Sequence, residues 1–133
     1  MPGSFFDSNI LLYTISIDPK KRQQSRALVE AGGTISVQVL NEVANVARRK
    51  MQLNWSDVRS LLQPFREALA IAAVTEAVHE HAIGLAERYG FAIYDSMIVA
   101  AAIAAGCDTL WSEDMHDGLV FESRLTIRNP FIA

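Results

Sequence analysis

The sequence predicts an α/β domain in which helices cover both faces of a short parallel sheet. Short apolar strands alternate with helical segments along the chain, and no repeat or low-complexity linker interrupts them. The composition, 50% hydrophobic and 20% charged, is that of an ordinary globular protein. A chain of this length can bury roughly 70% of the surface that its unfolded form exposes. We therefore expect one domain over residues 1–133.

The first half of the chain opens with a strand followed by a helix, which is how an α/β unit begins. Pro19 separates the first helical segment from the second, and Gly32 and Gly33 end the second. The predicted elements are a strand at 4–6, a helix or turn at 9–17, a helix at 20–31, a strand at 34–36 and a helix at 37–50.

The second half repeats this alternation. Pro64 predicts a kink or break in its first helix, Thr75 is placed to cap the second, and Gly90 closes that helix. The third helix is almost wholly apolar and should be buried on most sides. The predicted elements are a helix at 56–69, a strand at 70–74, a helix ending at 89, a helix at 95–105, and strands at 109–111 and 125–127.

Charge and cysteine content narrow the class of protein. The net charge of −3 argues against a strongly basic nucleic-acid binder. The single cysteine, Cys107, precludes an internal disulfide and is expected to be a buried apolar residue. The amino terminus does not have the pattern of a signal peptide, and the longest apolar run, 97–107, is too short to span a membrane. We expect a cytoplasmic protein.

Four carboxylates, Asp7, Glu42, Asp95 and Asp114, lie in or just after apolar segments, and Asp117 is a possible fifth. Acids in such positions point inward. Converging carboxylates repel one another and would take up protons unless a multivalent cation held them. The sequence therefore predicts a site for Mg²⁺ or Mn²⁺, whose preferred ligands are oxygen atoms.

Each acid also has a purely structural interpretation. Asp7 follows a strand and could simply cap the next helix. Glu42 lies along an apolar stripe, but Asn45 gives the stripe a polar shoulder, so a rim-exposed Glu42 stays open. Asp95 is placed to begin its helix, where capping and metal binding are compatible. Asp117 could be the turn residue that an Asp-Gly pair usually marks.

The neighbours of the acids are harder to interpret. Glu113 is expected to face solvent, pointing away from Asp114. Tyr94 and Ser96, on either side of Asp95, are expected to be packing and first-turn residues. Two further groups stay open: Ser8, Asn9 and Ser112 could contact metal or substrate, and Arg48 and Arg49 could meet phosphates near the metal.

The order of four motifs is more informative than any one of them. Phe-Asp-Ser-Asn-Ile-Leu begins at 6, Asn-Glu-Val at 41, Tyr-Asp-Ser-Met-Ile-Val-Ala-Ala at 94, and Ser-Glu-Asp-Met at 112. This set resembles the PIN-domain nucleases, especially the VapC-type toxins of toxin-antitoxin pairs, over essentially the whole chain. The resemblance carries the family's four acids to Asp7, Glu42, Asp95 and Asp114.

The resemblance also matches Asp117 to an additional acid of many members, and Ser112 to the small hydroxyl residue two before the fourth acid. Ser96 is a mild departure, since the family often has Ala there. The resemblance implies a three-layer α/β/α sandwich with a short parallel sheet, Mg²⁺- or Mn²⁺-dependent cleavage of RNA, a homodimer and a cognate antitoxin. We therefore interpret the chain as an endoribonuclease in which the metal ions orient and activate water.

Two other functions stay open. A haloacid-dehalogenase-like phosphohydrolase also places an Asp after its first strand, but it needs a second Asp two residues on, where this chain has Asn9. A degenerate PIN module that only binds a partner would lack some of the acids, and every expected acid is present. The RNA target, the number of metal ions and the identity of the antitoxin cannot be read from the sequence.

Overall fold

The computed structural model describes residues 3–132 and forms one six-stranded sheet with helices packed against it. The predicted domain, 1–133, includes residues 1, 2 and 133, which lie outside the described range. The elements run in the order β1 (Ser4–Phe6), α1 (Ser8–Tyr13), α2 (Pro19–Glu30), β2 (Thr34–Ser36), α3 (Val37–Arg49), α4 (Trp55–Ala68), β3 (Ala70–Ala72), α5 (Glu76–Tyr89), α6 (Ile93–Ala104), β4 (Thr109–Trp111), β5 (Val120–Phe121) and β6 (Leu125–Arg128).

The strand order is β3-β2-β1-β4-β6-β5, and every pair is parallel except β5 with β6. The predicted α/β fold with a parallel central sheet is confirmed. β1 lies inside the sheet between β2 and β4, so the residue after it emerges at the middle of the carboxyl edge. In open parallel sheets this edge is where ligands bind.

The core lies between this sheet and the apolar faces of its helices. Phe5 and Phe6 of β1 are fully buried, as is Leu110 on the neighbouring strand β4. Most of α6 is buried as predicted, including Ile98 and Val99, and α5 packs along it. A mostly buried helix of this kind is held in a fixed position against the sheet, and with it the acid on its first turn.

Several predicted boundaries are confirmed and others are wrong. The strands at 4–6, 34–36 and 109–111 match to the residue, and Thr75 and Gly90 cap α5 as expected, with Gly90 left-handed at φ 74°. Pro64 does not break α4. Pro64 and Ser60, whose carbonyl loses its helical partner, are both exposed, so water can satisfy that carbonyl.

Two further differences concern the end of the sheet and the start of α6. The strand β5 was not predicted, and it makes the edge pair of the sheet antiparallel. α6 begins at Ile93, two residues earlier than predicted, so Asp95 lies within the first turn and is not the cap. Among residues 3–132, none of the helices is both long and apolar enough to cross a membrane.

Candidate functional site

Asp7 emerges from β1 at the carboxyl edge of the sheet and is only 4% exposed. Its backbone N–H donates to the carbonyl of Trp111 at 3.0 Å, which fastens it to β4. Its side chain caps α1 by accepting from the N–H of Ser8 at 2.7 Å. The capping role that the sequence suggested is therefore present, and it leaves the second carboxylate oxygen directed elsewhere.

That second oxygen, Oδ2, accepts from the hydroxyl of Ser112 at 2.7 Å. The pKa of Asp7 is raised to about 6, because burial and the charges of Glu42 and Asp95 outweigh the bonds from Ser112 and Ser8, which lower it. Ser112 is itself fully buried and also accepts from the N–H of Met115. It thus holds the Asp7 carboxylate in one orientation.

Glu42 lies on α3, one helical turn after the buried Val39, and is half-buried itself. Its carboxylate accepts from the hydroxyl of Ser8 at 2.9 Å and from the side-chain amide of Gln38 at 3.0 Å. Because Ser8 follows Asp7 directly, the first of these bonds links the second acid to the first. Glu42 is therefore not the solvent-exposed rim residue that the sequence left open as an alternative.

Asn9 makes the corresponding link to the fourth acid. Its amide N–H₂ donates to Asp114 Oδ2 at 3.1 Å and lies 3.5 Å from Asp7 Oδ2. Its carbonyl oxygen accepts from the N–H of Glu113 at 3.3 Å, which holds the loop after β4. Both ends of one amide are therefore used to keep Asp114 beside Asp7.

Asp95 completes the group from the first turn of α6, and like Asp114 it is exposed, so the expectation that the acids point inward is wrong for these two. Partial burial raises the pKa of its carboxyl group, and the charges of Glu42 and Asp114 raise it further. Asp95 is therefore within electrostatic reach of both Glu42 and Asp114, and its charge also acts on Asp7. The structure thus brings Asp7, Glu42, Asp95 and Asp114 together, and we call these four residues the acid cluster.

The acid cluster fits a hard divalent cation by its chemistry. Its donors are all carboxylate oxygens, and burial together with mutual repulsion raises the pKa of two of them, a cost to the charged forms that a cation would relieve. Within residues 3–132, however, no three His, Cys, Asp or Glu side chains are close enough to hold an ion together. An ion that keeps several of its waters, as Mg²⁺ does, needs only one or two direct carboxylate ligands.

Other sequence predictions for this region have mixed outcomes. Asp117 is exposed and accepts from the backbone N–H of Asn129 at 2.7 Å, which favours the structural role in the loop. The prediction that Glu113 faces solvent is wrong. Lys21 donates to it at 2.5 Å and Tyr13 donates a further hydrogen bond, and these bonds lower the pKa of Glu113 although its partial burial acts to raise it.

The residues next to Asp95 also differ from prediction in one respect. Ser96 is fully buried, as expected of a packing residue, but Tyr94 is 61% exposed.

Arg48, which the sequence left as a candidate phosphate contact, is engaged elsewhere. It donates to the carbonyl of Leu53 at 2.8 Å, and its guanidinium lies over the ring of Trp55 at 4.6 Å. Arg49 is exposed on the same helix.

The positioning roles of Ser8, Asn9, Ser112 and Gln38 were not identified from the sequence. The signal was present for two of them, because a hydroxyl and an amide immediately after an inward-pointing acid can reach a second acid. Gln38 stands four residues before Glu42, the spacing at which helical side chains meet. Which acid each of these side chains contacts depends on the tertiary fold, so it could not be inferred from local sequence.

The fold and the acid cluster together define an α/β domain with an acidic site at the carboxyl edge of a parallel sheet. Residues 4–116 match the family model of the PIN domain, and the chain belongs to that family. No curated protein sequence matched it.

Solved structures of similar fold include several toxin-antitoxin proteins. A toxin-antitoxin complex from Klebsiella pneumoniae aligns with a TM-score of 0.71 and 21% identity over 96% of this chain and 98% of that one. VapC20 of Mycobacterium tuberculosis, a toxin that cleaves the sarcin-ricin loop, gives 0.69 and 14% over 84% and 89%. DNA-bound VapBC of Salmonella typhimurium gives 0.72 and 18% over 98% and 99%. At these identities the likeness shows the fold.

Proposed function

We propose that this chain is a Mg²⁺- or Mn²⁺-dependent endoribonuclease and the toxin of a type II toxin-antitoxin pair. The observation that carries the proposal is the acid cluster, in which Ser8, Asn9 and Ser112 hold three carboxylates from distant segments and Asp95 lies within electrostatic reach of them. Membership of the PIN domain family and the fold shared with toxins such as VapC20 support it. In this proposal residues 1–133 act as a single PIN-like domain.

The residues that would hold the metal are Asp7, Glu42, Asp95 and Asp114, and Asp117 is proposed as an additional or water-mediated ligand. The bound ion would lower the pKa of a water molecule and neutralise charge on the phosphodiester. The chain's own contribution is orientation. Ser112 fixes one oxygen of Asp7, Ser8 fixes Glu42, and Asn9 fixes Asp114, so the carboxylates need little rearrangement when substrate binds.

The net charge of −3 and the acids themselves repel RNA in the absence of the ion. The proposed cation therefore determines binding as well as reactivity. A binding-only PIN module is the second candidate, and it is favoured by one observation: within residues 3–132 no three carboxylates already meet at one point. A phosphohydrolase of the haloacid-dehalogenase type is disfavoured because Asn9 is engaged with Asp114 and carries no negative charge.

The metal requirement is the direct test. We expect the purified chain to cleave single-stranded RNA in Mg²⁺ or Mn²⁺, and cleavage to fall by at least about 100-fold when EDTA replaces the metal. Product formation on a labelled RNA, followed by gel, measures both rates. A matched Asp95→Asn preparation controls for contaminating nucleases. Equal cleavage by the two preparations, or no cleavage under any metal, would leave the binding-only module as the better description.

The proposed partners are RNA, a second copy of this chain and an antitoxin that covers the acid cluster. A guanidinium group suits such a site because it pairs with a carboxylate through two parallel hydrogen bonds and replaces the charge of the ion. The similar folds of toxin-antitoxin complexes support a partner of this kind. A cytoplasmic location stays a prediction, since its basis is the lack of disulfide-forming cysteines.

Growth of a host cell tests the antitoxin proposal. We expect expression of the chain alone to arrest growth, co-expression with the product of the adjacent gene to restore it, and the Asp7→Asn form to be harmless. Light scattering should give the mass of a dimer at micromolar concentration. Equal toxicity of the two forms, or a monomer that binds no product of the adjacent gene, would refute the toxin assignment and favour a housekeeping PIN protein.

A further inference from the structure

A polar pocket of about 360 Å³ adjoins the acid cluster on the α3 side. Glu42 belongs to both, so a molecule in the pocket would lie directly beside the proposed cleavage site. The volume falls within the roughly 300–1,000 Å³ that small-molecule sites occupy. We call this the amide pocket, and its lining residues are Gln38, Asn41, Glu42, Asn45 and Tyr94.

The amide pocket offers groups that suit a nucleobase. Asn41 and Asn45 are both exposed, and within residues 3–132 their side-chain amides take part in no hydrogen bond. Each amide presents donors and an acceptor, which is the combination that pairs with the edge of a base. Standing four residues apart on one helix, the two amides lie on the same face.

Tyr94 supplies the other half of such a site. Tyr94 is 61% exposed although α6, on whose first turn it lies, is otherwise among the most buried helices of the protein. An exposed aromatic ring beside polar groups is the usual platform on which unstacked bases are recognised in single-stranded RNA. A packing role, which the sequence suggested, does not account for its position.

The surface beside the amide pocket also offers a contact for the phosphate backbone of an RNA strand. Continuing along the same face of α3, Arg49 follows Asn45 by four residues and is exposed. A strand that placed a base in the amide pocket would bring one flanking phosphate toward the acid cluster and could bring another toward Arg49. Arg48 cannot serve in this way, because it is held by Leu53 and Trp55.

We propose that Tyr94, Asn41 and Asn45 form a subsite for one unstacked nucleobase of single-stranded RNA, next to the scissile phosphate. The inference rests on the proposed nuclease function, and it names a determinant of substrate choice for the same site. Base pairing in a duplex would block it, because both the face and the edge of the base must be free.

Substrates with a single abasic position test the subsite in cleavage. On wild type, kcat/KM should fall about 10- to 100-fold when the abasic position lies at one place beside the scissile bond. For Tyr94→Leu, kcat/KM on the intact RNA should fall by a similar factor, and an abasic position should lower it no further. Tyr94→Phe should keep the wild-type kcat/KM on both substrates. Trp55→Leu is the matched control, since Trp55 is 62% exposed and lies outside the pocket.

A second measurement does not depend on cleavage. In Mg²⁺, nucleoside 5′-monophosphates should shift the side-chain amide NMR signals of Asn41 and Asn45, ribose 5-phosphate should not, and Tyr94→Leu should abolish the shifts. If wild type cleaves RNA but neither Tyr94→Leu nor the abasic scan has any effect, the subsite is refuted and the nuclease stands.

If wild type cleaves nothing while the monophosphates still shift both amides, the base-binding site is supported and the nuclease function fails. Equal shifts with ribose 5-phosphate would show that phosphate alone is bound, which overturns the proposal. An effect of Tyr94→Leu on antitoxin binding, with none on RNA, would make the amide pocket a protein contact instead.

Discussion

Replacing Asp7 by Asn is expected to reduce RNA cleavage by at least about 100-fold while the protein stays folded. The amide cannot supply the negative charge that a divalent ligand site needs. Its shape is nevertheless almost unchanged, since the oxygen can still accept from the N–H of Ser8 and the amide can donate to the hydroxyl of Ser112. Initial cleavage rates of both forms at saturating Mg²⁺ measure the loss.

The same substitution should stabilise the metal-free protein at neutral pH. The pKa of Asp7 rises from 3.8 to about 6 on folding, so the folded state binds this proton more tightly than the unfolded chain does. The ionised carboxylate therefore lowers the free energy of unfolding above pH 6, by up to about 3 kcal/mol, and this penalty disappears as the pH falls toward 4.

The melting temperature in EDTA should accordingly be higher for Asp7→Asn than for wild type at pH 7.5, and the two should converge near pH 4. Adding Mg²⁺ should raise the melting temperature of wild type more than that of the variant. Wild-type cleavage by Asp7→Asn would refute the site assignment. A variant that melts well below wild type in EDTA would mean that helix capping is the main role of Asp7.

The second large effect is expected at Gly33, which precedes β2 and has φ +158°. A Cβ atom there would lie 2.6 Å from the carbonyl oxygen of Ser4 and 2.7 Å from Cε2 of Phe6. The carbonyl oxygen is backbone and cannot move aside without separating two paired strands, and the Phe6 ring is fully buried. We expect Gly33→Ala to lower the free energy of unfolding by about 3 kcal/mol or more.

Gly84 provides the matched control. It lies within α5, and a Cβ atom there would have no atom within 4 Å. Gly84→Ala should therefore raise the free energy of unfolding by about 0.5–1 kcal/mol, because alanine loses less conformational freedom in a helix. Urea denaturation of the three proteins measures both effects. A Gly33→Ala variant as stable as wild type would contradict the close approach of β1 and the Gly33 segment.

The parts of the fold that the sequence predicted are those with a local signal. The strands at 4–6, 34–36 and 109–111 are short apolar runs next to acids, caps or glycines, and these signals do not depend on distant residues. β5 has no such signal. It is two residues long, and the turn after it holds Glu122 and Ser123 at φ 52° and 55°, where sequences usually place Asn or Gly.

The candidate site was predictable in outline for the same reason. An acid that directly follows a buried strand lies at the carboxyl edge of the sheet whatever the fold of the remaining chain, and Asp7 is such an acid. The ion pair of Glu113 with Lys21 joins residues 92 positions apart, and it forms because α2 packs against α1 while β4 pairs with β1. The convergence of four acids was inferred from their positions in or just after apolar segments, and the family resemblance pointed to the same four.

The position of β1 has a consequence for biosynthesis. Although it is made first, β1 lies inside the sheet and needs β4 as a neighbour, and 105 residues separate Asn9 from its partner Asp114. A ribosome adds about 5–20 residues per second, so on the order of 5–20 s passes between synthesis of the two. During that interval the nascent chain lacks the fourth acid. In the proposed toxin, an antitoxin already present would meet each new molecule before its acid cluster is complete.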